Sequence, residues 1–320
     1  MATKHLDGKV AIITGAAGGI GRGVCDAFSA QGARLVVTDT GGDVEGRSGI
    51  DSARVDAVAG RVQTAGGEAV AVAGDIADLA VAEQVVRTAL DTYGKLDTLI
   101  CTHGILRERM IFNMTEDEWD EVVRVHLKGC FAPTKFASIY WRQSQTGGSI
   151  IYVTSDAGIV GGAGQPNYSA AHAGKLGLMR SNALALKKYG VTCNAIAPSA
   201  STRMTDRGRM VDRAAPAPSL GAAGTARDPA AIAPIAVWLA SDDASEVSGR
   251  IFGAGGHRIS VYRDPVQERV LMGRSPMFDI DWLFQHWDDT LGQDRLFPEP
   301  IRQLGAPPST PSTPSPKPST

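Results

Sequence analysis

The strongest constraint on the fold is a short apolar run at residues 10–14 that passes directly into a cluster of glycines. After the glycines, apolar residues recur at helical spacing, as Ile20, Val24, Ala27 and Phe28. This order predicts a strand, a tight turn and a helix, which together begin a βαβ unit. Glycine lets the backbone approach a ligand closely, and the first helical turn offers unpaired N–H groups to a diphosphate. An ordinary glycine turn is the alternative interpretation of this stretch taken alone.

A second strand strengthens the nucleotide interpretation. The β-branched run at residues 34–38 ends at Asp39, about 20 residues after the glycine cluster, where a carboxylate can accept hydrogen bonds from a ribose 2′-hydroxyl. The same carboxylate would repel a 2′-phosphate, so Asp39 favours NAD, with NADP as the less favoured cofactor. Arg34 and Arg47 could offset that repulsion.

Strand-length apolar runs and helical patterns alternate along the chain. The runs lie at residues 10–14, 35–38, 69–73, 96–101, 150–154, 191–196 and 250–252. Such alternation predicts a doubly wound α/β (Rossmann) fold whose mostly parallel sheet has seven strands and carries helices on both faces. We expect one domain over residues 1–256, an aromatic-rich C-terminal extension over 257–304 and a disordered Pro/Ser/Thr tail over 305–320. Residues 207–228 are expected to form a mobile substrate lid or a plain disordered insertion.

Composition favours a small diffusible ligand as the partner. The 320 residues are 43% hydrophobic and carry a net charge of −2, which gives no electrostatic reason to expect nucleic acid or an anionic membrane. No run approaches the ~20 apolar residues that span a bilayer, and the early first strand leaves no room for a signal peptide. We therefore expect a cytoplasmic location. The four cysteines are scattered, which predicts reduced thiols rather than a zinc site.

The spacing Thr14-Gly15-x-x-x-Gly19-x-Gly21 resembles the dinucleotide fingerprint of the short-chain dehydrogenase/reductase family. The resemblance implies the following cofactor-binding residues: Thr14, Gly15, Gly19, Ile20, Gly21, Asp39, Asp75, Ile76, His103, Gly104, Pro198 and Ser201. It places Asp75 at the adenine, although a helix N-cap is an equal alternative for that residue. It also leaves open which hydroxyl of Ser201, Thr202 or Thr205 contacts the nicotinamide carboxamide.

Residues 104–129 are similar to the (3R)-hydroxyacyl-CoA dehydrogenase domain of multifunctional β-oxidation enzymes. Within them, Thr115 and Glu118 form a capping-box pattern that predicts a helix start. His126 occupies the place where many family members carry an Asn of the catalytic relay. His103 lies in Cys-Thr-His-Gly, where most relatives have Asn-Asn-Ala-Gly.

Ser155 and Tyr168 carry the predicted chemistry. Ser155 follows the fifth strand, and Tyr168 comes 13 residues later. In the family, a Ser at this separation hydrogen-bonds the substrate oxygen, and the Tyr transfers the proton that balances hydride transfer. A carbonyl that accepts hydride develops negative charge, so both a hydrogen-bond donor and a proton donor are needed.

The family's catalytic Lys, four residues after the Tyr, is His172 here. An imidazole carries at most a fractional charge at neutral pH, so Tyr168 is expected to be a poorer base than its counterparts. A nearby carboxylate such as Asp156 could protonate His172 and restore part of the field. We interpret His103, His126 and His172 as a retuned acid–base cluster, with drifted residues of a silent enzyme as the alternative. Their spacing shows no metal-ligand pattern, so no metal is expected.

Together these features predict an NAD-dependent oxidoreductase that interconverts a secondary alcohol and a ketone, with Ser155, Tyr168, His172 and His126 as catalytic residues. The substrate would be a hydroxyacyl thioester or a bulky cyclic alcohol. A redox-silent enzyme that catalyses proton transfer (cyclase, isomerase or dehydratase) and a non-catalytic partner subunit are the alternatives. The family resemblance implies a homodimer or homotetramer through two long helices, with apolar surface from Leu176, Leu178, Met179, Leu184 and Leu186.

Overall fold

The computed structural model describes residues 4–205, 218–265, 270–272 and 279–291. Two compact units divide the chain, Met1–Asp264 and Pro265–Thr320. Half of the expected lid, residues 207–217, lies outside the described residues, as does the expected tail over 305–320. The domain boundaries expected at 256 and 304 stay predictions.

A single sheet organises the first unit. Its strands are β1 Val10–Thr14, β2 Arg34–Asp39, β3 Ala69–Ala73, β4 Thr98–Cys101, β5 Gly148–Val153, β6 Val191–Pro198, β7 Ile251–Gly255 and β8 Arg258–Val261. Their order across the sheet is β3-β2-β1-β4-β5-β6-β7-β8, and every pair from β3 to β7 is parallel. The predicted doubly wound α/β fold is confirmed.

The strand count is eight, and the prediction of seven was wrong. The additional strand, β8, pairs antiparallel with β7 after a tight turn at Gly256 and His257, and Gly256 has a φ of +55°. A positive φ at the first turn position is what a two-residue hairpin of this kind requires. Because β8 is a mostly exposed edge strand, it lacks the buried apolar run that identifies the parallel strands.

Helices cover both faces of the sheet. In the first unit their bounds are α1 Gly19–Ala30, α2 Ser52–Thr64, α3 Leu79–Tyr93, α4 Glu116–Val123, α5 Gly129–Ser144, α6 Ala157–Val160, α7 Pro166–Leu186 and α8 Ala233–Ala240. A further helix, α9 Ile280–His286, lies outside this unit. Apolar residues of α1, α2 and α8 form one core, and those of α3, α5 and α7 form the other. This arrangement buries the sheet on both sides, as its nearly continuous apolar strands require.

Helix α9 belongs to the second unit. Asp279 caps it by accepting a hydrogen bond from the Trp282 backbone N–H at 2.8 Å. The Trp282 and His286 rings stack at 4.3 Å on one helical face.

The strand order creates a crevice at the carboxyl ends of the strands. β1 pairs with β2 on one side and with β4 on the other, so the chain leaves β1 and β4 in opposite directions across the sheet. Ligands of open α/β sheets bind outside the strand ends at such a point.

Candidate active site

A cleft of about 340 Å³ opens at this crevice. It brings together most of the residues predicted to bind cofactor or substrate, namely Gly15, Gly19, Ile20, Gly21, Asp39, Asp75, Ile76, His103, Gly104, His126, Ser155, Tyr168, His172 and Pro198. Thr14 and Ser201 do not line it. The fold therefore assembles one continuous site from residues as far apart in sequence as Gly15 and Pro198.

The glycine turn between β1 and α1 forms one end of the cleft. Gly15 has a φ of +66°, and a Cβ on it would overlap the backbone of His103. A Cβ on Gly21 would lie 2.8 Å from the Ala16 Cα. Helix α1 begins after Gly18 without a side-chain cap and has no acidic residue in its first turn. Its N–H groups are thus free of a competing carboxylate, which fits the diphosphate of a dinucleotide.

Asp39 and Asp75 flank the expected adenosine end. Asp39 accepts hydrogen bonds from the Ala17 N–H (2.9 Å) and the Gly41 N–H (2.8 Å), which fix its carboxylate at the end of β2. Asp75 pairs with the Arg124 guanidinium at 2.7 Å. It is not the N-cap of α3, because Asp78 holds that position. The N-cap alternative for Asp75 is therefore wrong.

Tyr168 lies near the start of α7, and Asn167 fixes that start. The Asn167 side chain is fully buried and donates to the backbone oxygens of Arg107 (3.0 Å) and Glu118 (2.8 Å). The Tyr168 hydroxyl lies 3.9 Å from the Met204 sulfur. Burial raises the pKa of the Tyr168 phenol to about 12, and the Ser155 hydroxyl offsets part of that rise. The phenol is consequently protonated at neutral pH. Sequence reasoning missed Asn167, whose position directly before the reactive Tyr was the available signal.

His172 lies against Tyr168, with 4.2 Å between the ring centroids. Within the described residues, neither of its buried ring nitrogens has a hydrogen-bond partner. Burial holds the pKa of His172 well below its usual range, and the charge of Lys175 lowers it further. Asp156 does not compensate: it makes no hydrogen bond to His172, is not among the charges that act on its pKa, and accepts a hydrogen bond from the Tyr262 hydroxyl at 2.6 Å instead. The imidazole at the family's Lys position is thus neutral, and the suggestion that Asp156 protonates it is wrong.

His126 joins this cluster from a π-helical segment, Arg124–Lys128, between α4 and α5. Its ring lies 4.5 Å from that of His172 and 5.0 Å from that of Tyr168. A Cβ on Gly104 would overlap the imidazole, which explains the glycine at that position. Burial holds the pKa of His126 well below its usual value.

Lys175 is a second residue that the sequence reasoning missed. Its side chain is fully buried on α7, with Nζ 3.2 Å from His126 Nδ1 and 3.1 Å from the Val153 carbonyl oxygen. It lies seven residues after Tyr168 and three after His172, on one helical face. That spacing was a usable signal, since a Lys between the buried residues of an amphipathic face is unusual.

His103 is held at the base of the cleft. Its Nδ1 lies 2.6 Å from the Thr14 hydroxyl, and its Nε2 lies 4.0 Å from the Cys130 sulfur. Thr14 thereby acts beneath the cleft, on His103, instead of lining it. A Cβ on Gly129 would lie 2.6 Å from His103 Nε2, so the ring is packed tightly against α5.

Ser201 faces away from the cleft. Its N–H donates to the Arg227 carbonyl at 2.8 Å, and its hydroxyl accepts from Arg227 Nε at 3.4 Å. Thr202 and Thr205 line the cleft instead. Of the three hydroxyls considered for the carboxamide, these two have the suitable position.

Among the described residues, no group of three or more His, Cys, Asp or Glu side chains is arranged to hold a metal ion. No helix in the described part of the chain has the length and apolarity needed to cross a membrane.

The fold and site define a family. The family model for short chain dehydrogenases matches residues 9–211, and the chain belongs to this family of oxidoreductases. A crystal structure of a short chain dehydrogenase from Mycobacterium avium matches with a TM-score of 0.79 and 39% identity, covering 91% of this chain and 97% of that one.

Two named relatives indicate which branch of the family this chain resembles. Hydroxyacyl-CoA dehydrogenase ChsB1 of Mycobacterium tuberculosis is 40% identical over 275 residues, covering 83% of each chain. Peroxisomal multifunctional enzyme type 2 of Mus musculus is 37% identical over 259 residues, and the match covers 81% of this chain but only 33% of that protein. The predicted similarity to the hydroxyacyl-CoA dehydrogenase branch is confirmed.

Proposed function

We propose that this chain is an NAD-dependent oxidoreductase that interconverts a secondary alcohol and a ketone. The observation that carries the proposal is that Ser155 and Tyr168 line the same cleft, which begins at an uncapped glycine turn. A donor pair beside a dinucleotide cradle is what carbonyl reduction requires, because the oxygen that gains charge needs both hydrogen bonds and a proton.

In the proposed reaction, the substrate carbonyl oxygen accepts hydrogen bonds from Ser155 and Tyr168. When bound, the nicotinamide supplies the hydride in reduction and accepts it in oxidation. Tyr168 donates its phenol proton to the forming alkoxide. In the reverse direction it must first be a phenolate to take the alcohol proton. Because its pKa is raised to about 12, reduction is favoured at neutral pH, and oxidation accelerates as the pH increases.

NAD is the proposed cofactor, with NADP less favoured. Asp39 supports this choice, since its carboxylate is fixed at the end of β2 by two backbone N–H groups and lines the cleft. A 2′-phosphate at that place would meet a negative charge. We expect Asp39→Ala to lower the ratio of kcat/KM for NADH to kcat/KM for NADPH.

A hydroxyacyl thioester is the favoured substrate class, and a bulky cyclic alcohol is the other. The thioester is favoured because the relative named hydroxyacyl-CoA dehydrogenase matches this chain over 83% of each sequence. The site that would receive it contains His126, His172 and Tyr168, with Met204 at the cleft wall.

The test is a panel of 3-oxoacyl-CoA esters and cyclic ketones, assayed with NADH and with NADPH by absorbance. The account predicts turnover with NADH. It also predicts a loss of about 100-fold or more in Tyr168→Phe, the usual range for removal of a general acid. Binding of NADH, followed by tryptophan fluorescence, should be unchanged in this variant. No turnover of any substrate by a protein that binds NADH would contradict the proposal.

The buried, neutral His172 favours a second candidate, an enzyme that binds the cofactor but catalyses proton transfer instead of hydride transfer. A non-catalytic partner subunit is the weaker alternative, because a silent protein has no need of the Ser155–Tyr168 pair. Binding of NADH without transfer to any ketone would favour these candidates over the first.

We further propose a cytoplasmic location, supported by four free, buried cysteines. Fractionation of cells that express a tagged chain would test it, and recovery in an organelle would contradict it.

A further inference from the structure

Lys175 is a fully enclosed cation that the proposed reaction does not use. Removing an ammonium from water is costly unless its charge and donors find partners, so an apolar side chain would be the simpler choice at this core position. Its neighbours on the same helical face are His172 and Tyr168 on one side and Met179 on the other. The charge therefore lies where the helix passes from active site to core.

The partners of Lys175 satisfy its donors without neutralising its charge. Nζ donates to the Val153 carbonyl oxygen and lies 3.2 Å from His126 Nδ1, and both are uncharged acceptors. The acidic groups that act on Lys175 are the thiols of Cys101 and Cys130, and no carboxylate of the described residues is among them. Burial lowers the pKa of Lys175 from its ordinary value.

The contact with Lys175 determines the tautomer of His126. A neutral imidazole has one donor and one acceptor nitrogen. Because the ammonium can only donate, Nδ1 accepts, and Nε2 then carries the proton. Nε2 lies 2.7 Å from the Ile105 carbonyl oxygen and 3.2 Å from the Ile105 backbone nitrogen, and a protonated Nε2 donates along the shorter of these contacts, to the oxygen. These two bonds hold the ring edge-on to Tyr168, with an interplanar angle of 83°.

The same geometry places a positive charge near the phenol. Lys175 Nζ lies 3.2 Å from His126 Nδ1, and the His126 ring lies 5.0 Å from the Tyr168 ring, so the ammonium is within about 10 Å of the phenol ring. At an effective dielectric of about 20, a full charge at that distance would favour the phenolate about tenfold. The titratable or charged groups that face this cluster come from several elements: Tyr168 and His172 on α7, Cys101 on β4, His103 after β4, Glu108 in the following loop, and Cys130 on α5.

We propose that Lys175 is a positioning residue for the reaction: it orients His126 against Tyr168 and supplies, one helical turn further along α7, the positive charge that position 172 lacks. The inference rests on the proposed oxidoreductase function, because its consequence is a more readily ionised Tyr168. Lys175 would thus replace the cation that is missing at position 172, although no family motif places a functional Lys at position 175.

The kinetic test compares the pH dependence of alcohol oxidation in the wild type, Lys175→Met and Lys175→Gln. Both variants remove the charge, so oxidation at pH 7 should fall about tenfold and the pH–rate curve should move up by about one unit. Ketone reduction should change less, because the phenol is already protonated. Lys187→Met, at an exposed position of the same chain segment, is the control and should match the wild type. The double variant His172→Lys/Lys175→Met should regain oxidation at neutral pH.

A merely structural role would lower the unfolding temperature of Lys175→Met without moving the pH–rate curve, and that outcome would overturn the proposal. Should Lys175→Met fail to fold, Lys175→Gln carries the test, because its amide can still donate to His126.

A second readout needs no turnover. Nitrogen-15 NMR of histidine-labelled protein, with His126→Gln to assign the signal, should show His126 protonated at Nε2 and unprotonated at Nδ1. Protonation at Nδ1 in the wild type would overturn the orientation by Lys175. If no substrate is turned over but the Nε2 tautomer is found, the proposed oxidoreductase function fails while the orientation of His126 stands.

Discussion

At the scale of single residues, the departure from the family pattern that bears most directly on Tyr168 is the exchange at position 172. His172 stands in the Lys position, but it is buried, neutral and without a hydrogen-bond partner among the described residues. The ionisation of Tyr168 therefore depends on groups beyond its own helical turn. Ser155 lowers the pKa of the phenol, whereas burial and Glu108 raise it.

Returning a cation to position 172 should make Tyr168 a better base. In His172→Lys, the new ammonium would lie beside the phenol ring, and we expect oxidation at pH 7 to rise about tenfold and the pH–rate curve to move down by about one unit. His172→Gln, which adds no charge, should leave the curve in place. The measurement is the pH dependence of alcohol oxidation, and an unchanged curve in His172→Lys would argue against any influence of position 172.

The reactive residues were predictable from sequence to the extent that short motifs carry them. Ser155, Tyr168 and Asp39 follow strands at fixed spacings, and the structure places all three in the cleft. Lys175 and Asn167 belong to no such motif, because their roles arise from contacts with residues 49 and 60 positions away. The orientation of Thr14 and Ser201 likewise depends on His103 and Arg227, which sequence spacing does not reveal.

At the scale of elements, the segment before α5 has a special geometry. Residues 124–128 form a π-helical turn, a form that is rare and often found at functional sites. The turn carries His126 into the cluster and Arg124 to Asp75, at the end of the cleft expected to hold adenosine. The apolar spacing of the sequence predicts a continuous α-helix here. Over a single turn, that spacing does not distinguish an α-helix from a π-helix.

The capping box at the start of α4, which the sequence predicts, is confirmed. The Glu118 N–H donates to the Thr115 hydroxyl at 3.2 Å, and the Thr115 N–H donates to the Glu118 carboxylate at 3.1 Å. Glu118 also pairs with Arg109 at 2.7 Å. The hydrogen bond from Arg109 and that from the Thr115 backbone lower the pKa of Glu118 to about 2.

This lowered pKa makes part of the stability pH-dependent. The charged form is favoured in the folded state, so the stabilisation is fully present above pH 4.5 and is lost as the pH falls towards 2. In urea unfolding, the free energy of unfolding of Glu118→Gln should be lower than that of the wild type at pH 7. The difference between the two free energies should become smaller as the pH falls from 4.5 to 2. Glu116→Gln, on the same turn, is the control and should show a smaller difference at pH 7. A pH-independent difference would contradict the ionic contribution of Glu118.

At the scale of the whole molecule, apolar residues remain uncovered on the long helices. Leu184 on α7 is 81% exposed, and Phe131 on α5 is 45% exposed. Leu176 and Met179, expected from sequence to supply surface, instead lie in the core, because they face the sheet. Helical spacing alone does not say which of two apolar faces is covered by the chain's own sheet.

These exposed residues support the proposal of a homodimer or homotetramer through α5 and α7. We expect light scattering to show an oligomer for the wild type and a smaller species for Leu184→Asp, because a charge in an apolar interface is costly to desolvate. Ile50→Asp, at an exposed loop position, should leave the size unchanged. A monomeric wild type would contradict the proposal.

The central claim is that Tyr168 and Ser155 act on a substrate oxygen beside a bound nicotinamide. Deuterium transfer tests it most directly: the protein is incubated with NADH deuterated at C4 and a 3-oxoacyl-CoA ester, and the alcohol is analysed by mass spectrometry. The account predicts a deuterated alcohol from the wild type and a rate reduced by about 100-fold or more in Tyr168→Phe. Bound NADH that transfers no deuterium to any ketone of the panel would contradict it.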